Sequence, residues 1–160
     1  MLEDARLDYV TADIHAQDVD VNLDVTNIPF EDASFDVVIC NHVLEHVDDD
    51  RRAMRELRRV LTPEGWALLQ SPVDRAREAT YEDPTALTED ERLERFGQAD
   101  HVRIYGLDYV DRLRAAGFDV TVERWESWLT ADDVARYGLN PVEEIFLCRC
   151  ARDTRGDPAA

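Results

Sequence analysis

Lysine is absent from this 160-residue chain, glycine is scarce, and no apolar run is long. The 18 basic residues are all Arg and face 36 Asp and Glu, for a formal net charge of -18. Such a surface repels phosphate backbones and anionic lipid, which argues against nucleic-acid and membrane partners. No stretch reaches the roughly 18 apolar residues of a membrane span, and the opening MLEDARLDYV has neither a basic nor an apolar leader region. A cytoplasmic protein is therefore expected. The acidic balance without Lys reads as a halophilic composition, with salt screening the self-repulsion within a few ångströms; an acidic interaction surface is the competing reading. Three cysteines, Cys40, Cys148 and Cys150, lack metal-ligand spacing and read as buried free thiols, so no metal site is expected.

The length fits one domain with one core, expected over residues 1–150, with a flexible tail over 151–160 that has no apolar pattern. Alternating units run along it. Leu7 to Ala12 and Val21 to Leu23 read as strands ending at Asp13 and Asp24. Phe35 to Cys40 is nearly continuous apolar and β-branched sequence, as in a parallel strand covered on both faces. Asp48 to Asp50 can cap a helix with apolar positions Ala53, Met54, Leu57, Val60 and Leu61, and the interleaved Arg51, Arg52, Arg55, Arg58 and Arg59 form its solvated face. Thr62-Pro63-Glu64-Gly65 stops that helix before a strand over Trp66 to Gln70. Helices over Glu89 to Phe96, Leu107 to Ala116 and Ala131 to Tyr137, and strands over Phe118 to Trp125 and Glu144 to Arg149, complete the pattern. Residues 71–105 are mostly polar and read as an insertion over a cleft.

The stretch from Asp24 to His46, DVTNIPFEDASFDVVICNHVLEH, is the most informative. It joins an acidic turn to a buried strand that ends in Asn41, His42, Glu45 and His46. Ligands of open α/β sheets lie beyond the carboxyl ends of the strands, so this cluster is expected at a cleft.

The order of Asp24, Ile28-Pro29-Phe30, Ser34-Phe35-Asp36 and Leu44-Glu45-His46 resembles the class I S-adenosylmethionine-dependent methyltransferases. The likeness continues through RAMRELRRVLTPEGWALL, FGQADHVRIYG and RLRAAGF, and covers roughly Tyr9 to Phe118. It implies an α/β, Rossmann-like three-layer sandwich and methyl transfer from S-adenosylmethionine to a small molecule or biosynthetic intermediate. It further implies that Asp13 holds the ribose hydroxyls, that Asp24 and Val25 meet the adenine, and that Asn41 and His42 face the path of the methyl group. His42 is the candidate catalytic residue, either as a proton acceptor or as a hydrogen-bond partner of the substrate. Tyr81, His101, Arg103 and Tyr105, in the insertion, are the candidate substrate contacts. The bland alternatives are loop-capping acids, a structural His46, and an Arg103 that answers a neighbouring carboxylate.

The family opens with a strand and a Gly-rich turn that cradles the methionine end of the cofactor, whereas the first glycine here is Gly65. The expectation is thus an N-terminally truncated fold lacking the central strand of the family order 3-2-1-4-5-7-6. Methyl transfer would then be complete only in a longer form, or the chain would be a catalytically inert binding domain. Such a gap would leave an apolar seam through which a homodimer could form. His42-x-x-Glu45-His46 also fits an inverted zinc-hydrolase signature, which needs both histidines on a regular helix and a third ligand; His42 follows a strand directly, so methyl transfer is preferred.

Overall fold

The computed structural model describes residues 7–124, 129–140 and 143–151. In chain order the elements are β1 (Ala12–Asp13), β2 (Val21–Asn22), β3 (Phe35–Asn41), a 3-10 turn (Leu44–His46), α1 (Asp50–Val60), β4 (Leu61–Gln70) and β5 (Tyr81–Glu82). They continue with α2 (Glu89–Phe96), β6 (Arg103–Ile104), α3 (Tyr109–Ala115), β7 (Phe118–Glu123), α4 (Ala131–Tyr137) and β8 (Ile145–Cys150). The expected end of the strand at Trp125 and nearly all of the expected tail lie outside the described residues. Among the described residues no helix is long and apolar enough to cross a membrane.

The main sheet has the order β3-β4-β8-β7, with β3 and β4 parallel and β8 antiparallel to both of its neighbours. α1 caps itself on Asp49, whose side chain accepts from the Arg52 amide at 2.9 Å. Its inward stripe, Ala53, Met54, Leu57 and Val60, is at most 4% exposed and packs with Leu113 of α3 and Phe118 of β7 in the core. Tyr109 sits at the centre of an aromatic chain, 4.4 Å from Tyr105 and 4.9 Å from Phe146 between ring centroids, and its hydroxyl donates to Leu69 O. The architecture is a Rossmann-like α/β fold with a mixed sheet and flanking helices.

Several expectations shift. The Thr-Pro-Glu-Gly segment does not separate helix from strand; β4 begins at Leu61 opposite Phe35, and a register jump absorbs the extra residues before Trp66 pairs with Val37. Gly65 is required there because a Cβ would lie 2.8 Å from Asp36 O. Arg58 and Arg59 do not belong to a solvated face: Arg58 donates to Gly117 O, and Arg59 donates to Ile28 O, Phe30 O, Asp32 and Glu56. Arg59 thereby clamps the Ile-Pro-Phe turn onto α1. The strand expected over Leu7 to Ala12 contracts to Ala12–Asp13, because β1 has a ladder partner only in β2 among the described residues.

The largest correction concerns β3. It pairs with β4 on one edge, but Val37 and Ile39 remain 41% and 55% exposed, so the strand is not covered on both faces. The β1-β2 pair forms a separate parallel sheet, and a cleft separates it from the open edge of β3. An apolar run announces a strand without announcing whether a neighbour will cover it.

The segment after Ser71 is fastened to the end of β3 by a buried ion network. Asp50 accepts from Arg112 Nη1 and Tyr105 Oη, both at 2.9 Å, while Arg112 also reaches Glu82. Arg103 donates to Glu82 and to the carbonyls of Leu44, Val47 and Asp48. Breaking a buried pair strands the opposite charge, so Asp50→Ala should lower the unfolding free energy by about 3 kcal/mol in urea titrations, against about 1 kcal/mol for Tyr105→Phe. Burial pushes the Glu82 carboxyl up, but the Arg112 and Arg103 guanidinium groups outweigh it and hold the group below its ordinary value of 4.5. Its folded-state value being depressed, its contribution is present above pH 4.5 and fades as the pH falls through the folded value. Glu82→Gln should flatten the acid limb of a stability-pH profile; an unchanged limb would remove Glu82 from the network's energetics.

Candidate functional site

The cleft between β1-β2 and β3 has a volume of about 1090 Å³ and is lined by Asp13, Asp24, Val25, Asn41 and His42. The two sheets thus bring together all five residues singled out for cofactor and catalysis, 29 positions separating the first from the last. Val37, Ile39, Leu23 and Ile28 supply apolar wall, while Asp48, Asp49 and Asp100 join the acidic rim. Among the described lining residues there is no Arg.

Asp13 terminates β1 and accepts from the amides of His15 and Ala16 at 2.7 Å each, through Oδ1 alone. Those two backbone donors, first His15, hold its carboxyl below the usual range. Asp24 behaves alike: Oδ1 accepts from the amide and hydroxyl of Thr26 at 2.7 and 2.8 Å, and its carboxyl is lowered for that reason. Each acid caps its own loop and, among the described residues, keeps Oδ2 out of any hydrogen bond. The two readings of these acids are therefore compatible, since loop capping consumes one oxygen of residues that also line the cleft.

His42 follows β3 with a backbone φ of 54°, in the left-handed region, while its amide still donates to Gln70 O at 2.8 Å. That conformation is uncommon for a residue with a side chain. It rotates the chain out of the strand and leaves the imidazole 56% exposed, with Nδ1 at 3.2 Å from Glu45 Oε1. A second cavity of about 480 Å³ is lined by His42 with Gln70, Ser71, Asp74, Arg75 and Phe146 among others, so His42 borders both spaces. The zinc-hydrolase geometry is not formed, because His42 is outside any helix and Leu44–His46 is a single 3-10 turn.

The four residues of the 71–105 segment are not gathered at the cleft. Arg103 is 2% exposed and its donors are spent on Glu82 and three backbone carbonyls. Tyr105 is fully buried, its hydroxyl on Asp50 and Leu44 O, and burial together with the Asp50 charge pushes the pKa of its phenol well above the ordinary range. Tyr81 pairs with Ile104 and packs on Phe96. His101 lies against the His46 ring at 4.7 Å, with its proton affinity lowered mainly by burial and then by His46. Sequence reasoning missed Asp100, Gln70, Ser71 and Arg75, which border the two cavities; a polar segment after a strand end was the only signal for them.

Comparison with known proteins agrees with the fold. Residues 1–69 match the methyltransferase domain family. Over 43 residues the chain is 44% identical to the uncharacterized methyltransferase YcgJ of Bacillus subtilis, a match covering 27% of this chain and 17% of that protein. In structure it is similar to the SpnF cyclase, with a TM-score of 0.54 at 19% identity over 82% of this chain and 56% of that one. The 1,6-didemethyltoxoflavin-N1-methyltransferase of Burkholderia thailandensis gives a TM-score of 0.54 at 18% identity, covering 82% and 50% of the two chains. The chain thus spans little more than half of these solved structures, and its match to YcgJ about a sixth of that relative. Over residues 1–69 the chain is thus similar to the methyltransferase domain family, and over most of its length it shares the fold of these solved structures.

Proposed function

We propose that this chain forms the core of a methyltransferase that takes its methyl group from S-adenosylmethionine and delivers it to a small molecule. The observation that carries this reading is the position of His42 between two cavities, one rimmed by Asp13 and Asp24 and the other by Gln70 and Arg75. In this reading the first cavity takes the cofactor, with Asp13 Oδ2 accepting from ribose hydroxyls and the Asp24–Val25 turn meeting the adenine. The second takes the acceptor, and Asn41 and His42 line the short path between them. Displacement at a sulfonium needs alignment and exclusion of water more than acid-base chemistry, and this reading gives that task to the residues around His42, which borders both cavities. The Burkholderia enzyme named above, similar in fold, holds 1,6-didemethyltoxoflavin together with S-adenosylhomocysteine, which supports a small-molecule acceptor.

The alternative, a methyltransferase-like binding domain without turnover, draws on a specific feature. No Arg lines the first cavity among the described residues, so the carboxylate at the methionine end of the cofactor finds no cationic partner there. Desolvating that charge without replacement costs free energy. The chain by itself should accordingly hold the nucleoside end and little else. Isothermal titration should give adenosine and S-adenosylhomocysteine affinities within a few-fold of one another, both weak at about 100 μM or more. Asp13→Ala should lose about tenfold from each, through loss of charge-assisted hydrogen bonds. Tight binding of S-adenosylhomocysteine alone would show a methionine cradle that this reading omits, and affinities unchanged in Asp13→Ala would return that residue to loop capping. The exposed Val37 and Ile39 also favour self-association of the isolated chain, read by light scattering on the same sample.

A further inference from the structure

Glu45 is a carboxylate 2% exposed, yet among the described residues no Arg reaches it. Its oxygens are held by the Ser71 hydroxyl at 2.9 Å and by His42 Nδ1 at 3.2 Å, the latter on a side chain that is itself half in solvent. Buried charges are otherwise paired or bound to metal. Two more imidazoles stand beside it: one ligand-type atom from each of Glu45, His46 and His101 lies within 4.8 Å of the others. His101 is 8% exposed, and its ring nitrogens enter no hydrogen bond among the described residues. The Val102 amide donates to Glu45 O at 3.0 Å and fixes this loop against the strand end.

We propose that Glu45, His46 and His101 form a site for a divalent transition-metal ion of the zinc class. Two imidazoles and one carboxylate are a ligand set that zinc accepts, with bonds of about 2.0–2.2 Å, and a tetrahedral arrangement would need the three atoms to close by about an ångström. Imidazole donors select such an ion over magnesium or calcium. The surrounding groups already stand where an outer shell is needed. Ser71 and His42 orient the carboxylate, and Asp100 meets His46 Nδ1 through its carbonyl at 3.2 Å and its carboxylate at 3.4 Å. Such partners set the tautomer and raise ligand basicity, leaving Nε2 of His46 for the ion. Three protein ligands leave a fourth position open, and one of them, His46, borders the larger cleft together with Asp100. The ion would supply the positive charge that Glu45 lacks and join the end of β3 to the loop before β6.

The motif His42-x-x-Glu45-His46 thus gains a different meaning: Glu45 ligates, His42 stands behind it, and the third ligand comes from 55 residues further along. Cobalt(II) titration of the chelator-treated, full 160-residue chain tests this without any substitution. The expected result is one equivalent bound, with visible bands of a nitrogen and oxygen site and without the near-ultraviolet charge transfer of a thiolate. Zinc should displace the cobalt. His101→Gln and Glu45→Gln, with circular dichroism matching the parent, should each weaken zinc binding by at least about tenfold. Absence of binding at millimolar cobalt, thiolate charge transfer from the cysteines, or parent-like affinity in folded His101→Gln would each overturn the assignment.

Discussion

Everything in this molecule depends on how β3 ends. The strand runs in register with β4 up to Asn41, and the chain then turns out of the sheet through the left-handed conformation of His42 while its amide remains bonded to Gln70 O. That turn sends Leu44 and Glu45 inward, to 0% and 2% exposure, and leaves His42 between two cavities. The ion network of Asp50, Arg103, Arg112 and Glu82 then holds the later segment against the same turn. A conformation uncommon for a residue with a side chain thus stands at the point where the chain leaves the strand and Leu44 and Glu45 turn inward.

The charge distribution divides the structure into two regimes. Around Asp50 the buried charges are matched by Arg103, Arg112 and the Tyr105 hydroxyl, so that network fastens elements together. At Glu45 and on the rim of the larger cleft the acids are not matched in this way, and the described residues that line the cleft include five Asp and no Arg. The carboxylates of the Asp50 network are answered within the chain, whereas Asp13 and Asp24 each keep one oxygen out of any hydrogen bond among the described residues. The similarity in fold to the SpnF cyclase, as well as to a methyltransferase, is a reminder that such an arrangement is a binding framework before it is a particular chemistry.

Much of the fold was legible in the sequence because it rests on local pattern. The apolar stripe of α1, the helices over Glu89–Phe96 and Ala131–Tyr137, and the strand beginning at Phe35 all follow from period and capping residues. Asp13 and Asp24 were legible as strand-end acids, and their convergence on one cleft follows from the parallel pairing of β1 with β2. What stayed hidden depends on distant partners. Arg59 reads as a solvated helix residue until the Ile-Pro-Phe turn folds over it, and Arg103 reads as a substrate anchor until Leu44, Val47 and Asp48 present their carbonyls to it. The exposure of Val37 and Ile39 could not be read either, since β-branched sequence encodes a strand and not its neighbours.

The claim that the strand-end acids and the His42 turn form one ligand site can be measured most directly by nitrogen-15 NMR of the chain titrated with S-adenosylhomocysteine, which registers weak binding residue by residue. The account predicts saturable shifts of the amides of Asp13 to Ala16, Asp24 to Thr26, and Asn41 and His42. The amides of α2 and the β5-β6 pair, which lie away from the cleft lining, should remain still. Shifts confined to those latter elements, or no shifts at millimolar ligand, would contradict it.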